Sequence, residues 1–297
     1  MGVGNIIPGV SGGTIALITG IFERFIYALK SYNLSAFKML YKGNWKGFVL
    51  QTDFYFLISV GLGMLTALLS LAKAFEYLFL HYPVFIWSFF FGLILASIYY
   101  VIIMVEKWSF SSIFSLIFGI ISGVIFLFIN PASPNDNIFF LFISGAISIV
   151  GMILPGLSGS FLLVLMGNYE LTMIDGISTM NIRILLPFVL GAIAGLVGFS
   201  YILAYVYKRY KNQTLALIAG FIIGSLIVIW PWKKFFYKLD SEGNILHNSD
   251  GMPVVLRYLP KIPEQFNNEV IIAIIFAITG IFLIWLTEYL AAHKPLK

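Results

Sequence analysis

The chain has 297 residues, 60% of them hydrophobic and only 10% charged, where an ordinary soluble domain carries roughly 25% charge. Mean hydropathy is +0.96. These values exclude a soluble globular enzyme and a disordered chain, and indicate a protein whose solvent is mostly lipid. The net charge is +5, but the basic residues cluster between apolar runs, which marks cytoplasmic loops rather than a nucleic-acid surface. Cysteine is absent, so thiolate metal sites, iron–sulfur clusters and cysteine nucleophiles are excluded. His81, His247 and His293 all lie outside the deep apolar runs, which argues against a histidine-based metal or phosphatase site.

Taken in chain order, residues 1–22 form an uncharged run broken by Pro8-Gly9-Val10-Ser11-Gly12-Gly13. The 24–53 segment carries Arg24, Lys30, Lys38, Lys42 and Lys46 and reads as a cytoplasmic loop. Three spans follow, at 54–74, 82–105 and 108–130. The next uncharged stretch, 137–169, has 33 residues, about 50 Å as one helix at 1.5 Å per residue. That exceeds one upright crossing of a core about 30 Å thick. It contains Pro155-Gly156-Leu157-Ser158-Gly159, where the missing proline N–H and the glycines break a helix. A hairpin that enters, turns and leaves on one side is expected. Spans at 184–207, 212–232 and 270–290 complete the set.

Loop charge supports the hairpin. If 137–172 crossed an odd number of times, Lys208, Arg209 and Lys211 would fall outside, against the positive-inside rule. A double crossing by two short helices would satisfy the same parity. The C-terminus, with Lys294 and Lys297, is expected in the cytoplasm. The 233–268 segment is expected to be an external, solvated loop.

The two breaks repeat one another. An offset of 147 pairs Pro8 with Pro155, Gly9 with Gly156, Ser11 with Ser158 and Gly12 with Gly159. It also pairs Gly4 with Gly151, Gly20 with Gly167, Phe22 with Tyr169 and Glu23 with Glu170. An offset of 132 relates Gly63 to Gly195 and Gly92 to Gly224. The expected fold is therefore an all-α polytopic membrane protein with two inverted-topology repeats. Each is a re-entrant or broken helical hairpin followed by three transmembrane helices, over residues 1–130 and 131–297. Inverted repeats with discontinuous helices characterise secondary transporters. Only seven residues precede Pro8, against about 17 before Pro155 in its hairpin, which points to further residues upstream of Met1.

Each break supplies chemistry. The first N–H groups of a restarting helix have no intrahelical partner, and helix N-termini attract anions. Ser11, Gly12, Gly13 and Thr14 place donors at one break, and Ser158, Gly159 and Ser160 at the other. Two such tips suit a phosphate or carboxylate. Asn5 and Ser148 precede the breaks and are placed to line the same site. Arg24 either binds a phosphate bidentately or marks the cytoplasmic side. Glu23 and Glu170 are charges close to the apolar cores, where charge is costly and usually functional. No cofactor or metal is implied. An enzyme is disfavoured, because no nucleophile, acid–base pair or metal cluster is gathered in one motif. A channel or transporter for small anions using the same helix ends is the alternative.

The segments GVGNIIPGVSGGTIALITGIFERFI and GAISIVGMILPGLSGSFLLVLMGNYE resemble the polyprenyl-phosphate transporter (PopT) family of bacteria and archaea. The resemblance covers nearly the whole chain. It implies a flippase of the bacterial cytoplasmic membrane that returns undecaprenyl phosphate, or a related polyprenyl phosphate, to the cytoplasmic leaflet for reuse in cell-wall synthesis. It also implies that the Pro-Gly-x-Ser-Gly segments form the family's functional core; with the helix ends read as an anion site, they are expected to bind the headgroup while the tail stays among membrane lipids. Many members carry aspartate where this chain has Asn5. A buried Glu23 or Glu170 with a raised pKa would suit proton coupling.

Overall fold

The protein is described from a computed structural model over residues 1–2, 11–125, 133–177, 179–237, 245, 255–263 and 265–292. Asn5, Pro8 and Gly9 of the first break lie outside the described residues.

Short polar side chains start many of the helices. Ser11 caps α1 (Gly12–Ile18), its hydroxyl accepting from Gly13 N. Helix α2 (Phe22–Lys30) follows, then α3 (Leu34–Tyr41), capped by Asn33, and α4 (Trp45–Thr52), capped by Asn44. The 24–53 segment is thus not the loop expected from its charge. Phe22, Phe25, Ile26 and Leu29 are buried at the i, i+3, i+4, i+7 spacing of a helix face, so a basic stretch still docks on the core. Asp53 adopts a left-handed conformation at φ 47°. There the chain bends by 63° between α4 and the start of α5 (Phe54–His81). Then come α6 (Pro83–Ile103), with proline in its first turn, and α7 (Phe110–Ile125).

In the second half, Asn137 caps α8 (Ile138–Ile153) through Phe139 N and Phe140 N. The chain breaks at Pro155-Gly156, with Gly156 at φ +88°, and restarts as α9 (Gly159–Leu165). A π-helix (Glu170–Gly176) leads to α10 (Ile182–Arg209), α11 (Lys211–Ile229) and, after a strand pair, α12 (Asn268–Ala292). Helices α6, α10 and α11 and residues 268–286 of α12 are long and apolar enough to cross a membrane, and the bent α4–α5 pair makes a fifth candidate. The apolar body is that of an all-α polytopic membrane protein.

Helices α6 and α11 form the centre, about half buried along their apolar lengths, whereas α10 and α12 are mostly exposed and face outward. Lipid tails give apolar helices no hydrophobic reason to associate, so close backbone approach must do it. Gly119 and Gly123 of α7 lie against Leu217 and Phe221 of α11, and Gly220 and Gly224 of α11 against Leu116 and Ile120 of α7. A Cβ at Gly220 would overlap the Leu116 carbonyl. The same device joins α6 to α12, through Gly92 on Ala277 and Gly280 on Phe89, and α8 to α10, through Gly145 on Phe188 and Gly191 on Phe142. Helices distant in sequence thus pack together, α7 on α11 and α6 on both α11 and α12, while α8 packs on the nearer α10.

Two polar contacts fix the path of the chain. Lys211 Nζ lies 3.0 Å from Glu106 Oε1, and Glu106 N donates to Asn212 Oδ1 at 3.1 Å. The hydrogen bond from Lys211 holds the Glu106 carboxyl below its ordinary range. The chain thus leaves this end along α7 and returns to it along α10. Between them, Asn135 N donates to Asn168 Oδ1 at 2.8 Å, and Asn168 Nδ2 donates to Asn135 O at 2.9 Å. The residues flanking α8–α9 are clasped, so this segment doubles back to where it began.

The described residues of the 233–268 segment include a strand pair. Strands β1 (Lys233–Tyr237) and β2 (Val255–Pro260) pair antiparallel, with an irregularity between Phe236 and Tyr237. Trp230 Nε1 donates to Lys261 O at 2.9 Å and Trp232 Nε1 to Glu269 Oε1 at 3.2 Å. The Lys233 ammonium sits 3.3 Å over the Trp87 ring. Burial pushes Lys233 down to about 7, while the ring face favours its charged form.

Gly220→Ala is expected to destabilise the protein by about 1–3 kcal/mol, because the added methyl must push two helix backbones apart. Gly61→Ala in α5 meets open space and should leave the thermal melting temperature in detergent unchanged or raised.

Candidate functional site

The two breaks meet. Ser11 Oγ donates to Met152 O at 3.2 Å, and Thr14 Oγ1 accepts from Gly156 N at 2.9 Å. Gly13 packs so closely on the end of α8 that a Cβ there would overlap the Ile153 carbonyl. The start of α1 therefore rests on the carbonyl end of α8. Opposite helix poles face one another here, and part of the positive end of α1 is answered by protein carbonyls. Ser11 and Thr14 are each 1% exposed, and Gly12 and Gly13 are buried with them. In this conformation the first cradle is occupied by the second hairpin.

The second cradle is open. Ser158 and Ser160 hydroxyls lie 2.8 Å apart, bonded to each other at an exposed position. They border a cavity of about 210 Å³ that also touches Ser148, Gly159 and Tyr169. Ser148 Oγ donates to Gly159 O at 3.1 Å, which pins the restart of the chain against α8. Unlike Ser11, the Ser158 hydroxyl caps no backbone N–H of its helix and is bonded instead to the Ser160 hydroxyl, beside the cavity. Among the described residues, none that lines the cavity is charged. Its polar groups are hydroxyls and backbone, set among Met152, Leu157, Leu163 and Met173.

Tyr169 was not anticipated as a lining residue. Its signal was present: it occupies the repeat position of Phe22 but adds a hydroxyl. Asn168 was also missed. It is fully buried and clasps Asn135, while its repeat position is the apolar Ile21, so no pairing exposed it.

The remaining sequence candidates are dispersed. Arg24 binds Asp53 with both arms of its fork, at 2.6 and 2.9 Å, and lies 4.3 Å from the Phe56 ring centroid. Its donors are directed to the α4–α5 bend rather than to the hairpin tips, and it stays 59% exposed. Glu23 and Glu170 are both exposed, in the first turns of α2 and of the π-helix. Neither is the buried glutamate that the sequence suggested. Among the described residues no cluster of side chains suits a metal ion.

The two restarts share their backbone design. α1 and α9 each have seven residues and begin at positions 147 apart. Each ends on a left-handed glycine, Gly20 at φ +70° and Gly167 at φ +74°. Each closes with the same two bonds: Gly20 N to Leu17 O and Ile21 N to Ala16 O, matched by Gly167 N to Val164 O and Asn168 N to Leu163 O. Both are Schellman caps, which need the positive φ that glycine adopts freely.

Residues 1–246, which include both tips, match the family described as VCA0040-like, undecaprenyl phosphate translocase-like. The chain belongs to this family. One relative, from Vibrio cholerae serotype O1, is 38% identical over 244 residues, covering 82% of this chain and 79% of its own. Another, from Staphylococcus aureus, is 33% identical, with 78% of this chain and 83% of the relative covered. Both are called polyprenyl-phosphate transporter. No solved structure matches the chain. Helix α12 lies beyond the matched residues, yet it completes the packing around α6.

Thr14→Val should cost about 1–3 kcal/mol, because the buried Gly156 N–H loses its acceptor. Ser160→Ala should change stability by less than about 0.5 kcal/mol, as at an ordinary surface position. Thermal unfolding of the two variants in detergent measures both.

Proposed function

We propose that this protein is a flippase that returns undecaprenyl phosphate, or a related polyprenyl phosphate, from the outer to the cytoplasmic leaflet of a bacterial cytoplasmic membrane. There the carrier re-enters cell-wall precursor synthesis. One observation carries the reading: two helix breaks meet beside a small, mainly apolar cavity bordered by the Ser148, Ser158, Ser160 and Tyr169 side chains, inside an apolar helical body whose relatives are named for polyprenyl phosphate. Broken helices at membrane depth are tolerated where they line a cavity, and a monophosphate needs donors there.

On this reading Ser158, Gly159 and Ser160, with Ser148 and Tyr169, receive the headgroup first. Ser11, Gly12, Gly13 and Thr14 join them when the tips part, exchanging bonds to Met152 and Gly156 for bonds to phosphate oxygens. The Ser11–Met152 and Thr14–Gly156 contacts are then the closed gate. The two halves, 1–130 and 131–297, act as inverted repeats that rock about the α6–α11 centre. The matched caps and the cross-packing of the halves support that assignment. The prenyl tail remains in lipid throughout.

The test is translocation of labelled undecaprenyl phosphate across liposomes holding the purified protein. Flux above protein-free liposomes is expected, and Ser158→Ala with Ser160→Ala should lower the maximal rate about tenfold or more, the loss of one or two charge-assisted bonds. Chloride or inorganic phosphate flux without lipid flux would refute the reading.

Proton coupling is proposed through Glu23 and Glu170, which occupy matched positions after the two tips. With both changed to glutamine, transport should become insensitive to an imposed pH gradient while downhill lipid exchange persists. A double variant that keeps the wild-type response to the gradient removes these glutamates from the mechanism.

A further inference from the structure

A second, larger cavity of about 820 Å³ lies between the starts of α8 and α10, away from the hairpin tips. Its apolar wall includes Phe139, Phe142, Pro187 and Leu190, and its two charges are Asp136 and Arg183. The size falls within the roughly 300–1,000 Å³ of ordinary ligand sites. Asn181 Oδ1 accepts from Arg183 N at 3.1 Å, so Arg183 springs from a fixed first turn. Among the described residues its guanidinium has no carboxylate within ion-pair distance. Pro187, one turn on, supplies no N–H to the Arg183 carbonyl.

The apolar wall continues down the outside of α10. Leu186, Val189, Leu190 and Ile193 are 55%, 48%, 50% and 54% exposed, and their spacing places them on one helix face. A single cation thus heads an unpartnered apolar track. Lys208 and Arg209 occupy the last turn of α10, about 40 Å away at 1.5 Å per residue. By the positive-inside rule, the groove opens at the outer face.

We propose that this groove is the loading site for the transported lipid: a phosphate monoester on a polyisoprenoid tail docks here from the outer leaflet before its headgroup passes to the hairpin tips. The proposal rests on the transport reading above. The planar fork of Arg183 meets two phosphate oxygens, and the α10 track takes the first prenyl units. A monoester carries close to two charges at neutral pH, where a bulk phosphodiester carries one, so Arg183 favours the monoester. Asp136 repels the same anion and keeps binding loose. A site that must pass its occupant on needs affinity enough to fill and not enough to trap.

The experiment compares full-length wild type with Arg183→Gln, Arg183→Lys and Asp136→Asn in the liposome assay, over a range of undecaprenyl phosphate contents. Arg183→Gln should raise KM about tenfold, the value of one lost charge-assisted contact, with the maximal rate nearly kept. Arg183→Lys should fall between, and Asp136→Asn should lower KM. In parallel, a diazirine-bearing undecaprenyl phosphate should crosslink to peptides of α8 and α10, and less so in Arg183→Gln. An Arg183→Gln protein with wild-type melting temperature, KM and crosslinking overturns the proposal. So does a wild-type KM that climbs with phosphatidylglycerol content while that of Arg183→Gln does not, which would assign the groove to bulk lipid. Absence of wild-type transport refutes the flippase reading itself, and the crosslinking arm then decides the groove alone.

Discussion

The seat of α1 on the broken end of α8 is the contact on which the candidate site depends. Gly13 has no side chain, so the α1 backbone reaches the Ile153 carbonyl, and only then do Ser11 and Thr14 reach Met152 and Gly156. Three requirements coincide there: a proline that ends α8, a glycine that turns at positive φ, and a hydroxyl that accepts the exposed N–H. A buried backbone donor without a partner is costly in any apolar surrounding. Breaks at depth must therefore satisfy one another, and two breaks in one apolar body are drawn together.

Glycine interfaces place that contact. Because α7 meets α11, α6 meets α12 and α8 meets α10 at backbone distance, the helices are held by shape rather than by solvent exclusion. Among the described residues, several polar contacts sit at the ends: Glu106 with Lys211, Gln213 with Ser111, Asn135 with Asn168, Trp230 with Lys261.

Function enters through the contrast between the two tips. One is packed shut and the other opens on a cavity. Charge is kept away from both: Arg24 is held at Asp53, and Arg183 stands at the far rim of α8 and α10. On the proposed reading, an anion at the tips would meet hydroxyls and N–H groups, whose hold is weaker than that of an ion pair.

The sequence by itself determined the solvent of this protein, the helical class, the position of the second break and the equivalence of the two Pro-Gly-x-Ser-Gly segments. Each follows from composition or from local backbone chemistry: proline without an N–H, glycine free of Cβ, apolar runs as long as a bilayer is thick. The caps at Gly20 and Gly167 were legible as paired glycines, because the same positive φ recurs at the same offset. What the tertiary structure alone decided is where polar groups spend their bonds. Ser11 and Thr14 read as ligands for an anion and are found bonded to the other hairpin. Arg24 read either as a phosphate ligand or as a marker of the cytoplasmic side, and its fork is bound to Asp53. The basic 24–53 stretch read as a loop and is three helices, because its buried face is spaced at helical intervals between the charges. Asn168, invisible to the repeat, clasps Asn135. Hydrogen-bond partners lie up to 142 positions apart in the chain, and no local pattern encodes a partner at that distance; only the packed helices bring donor and acceptor within reach.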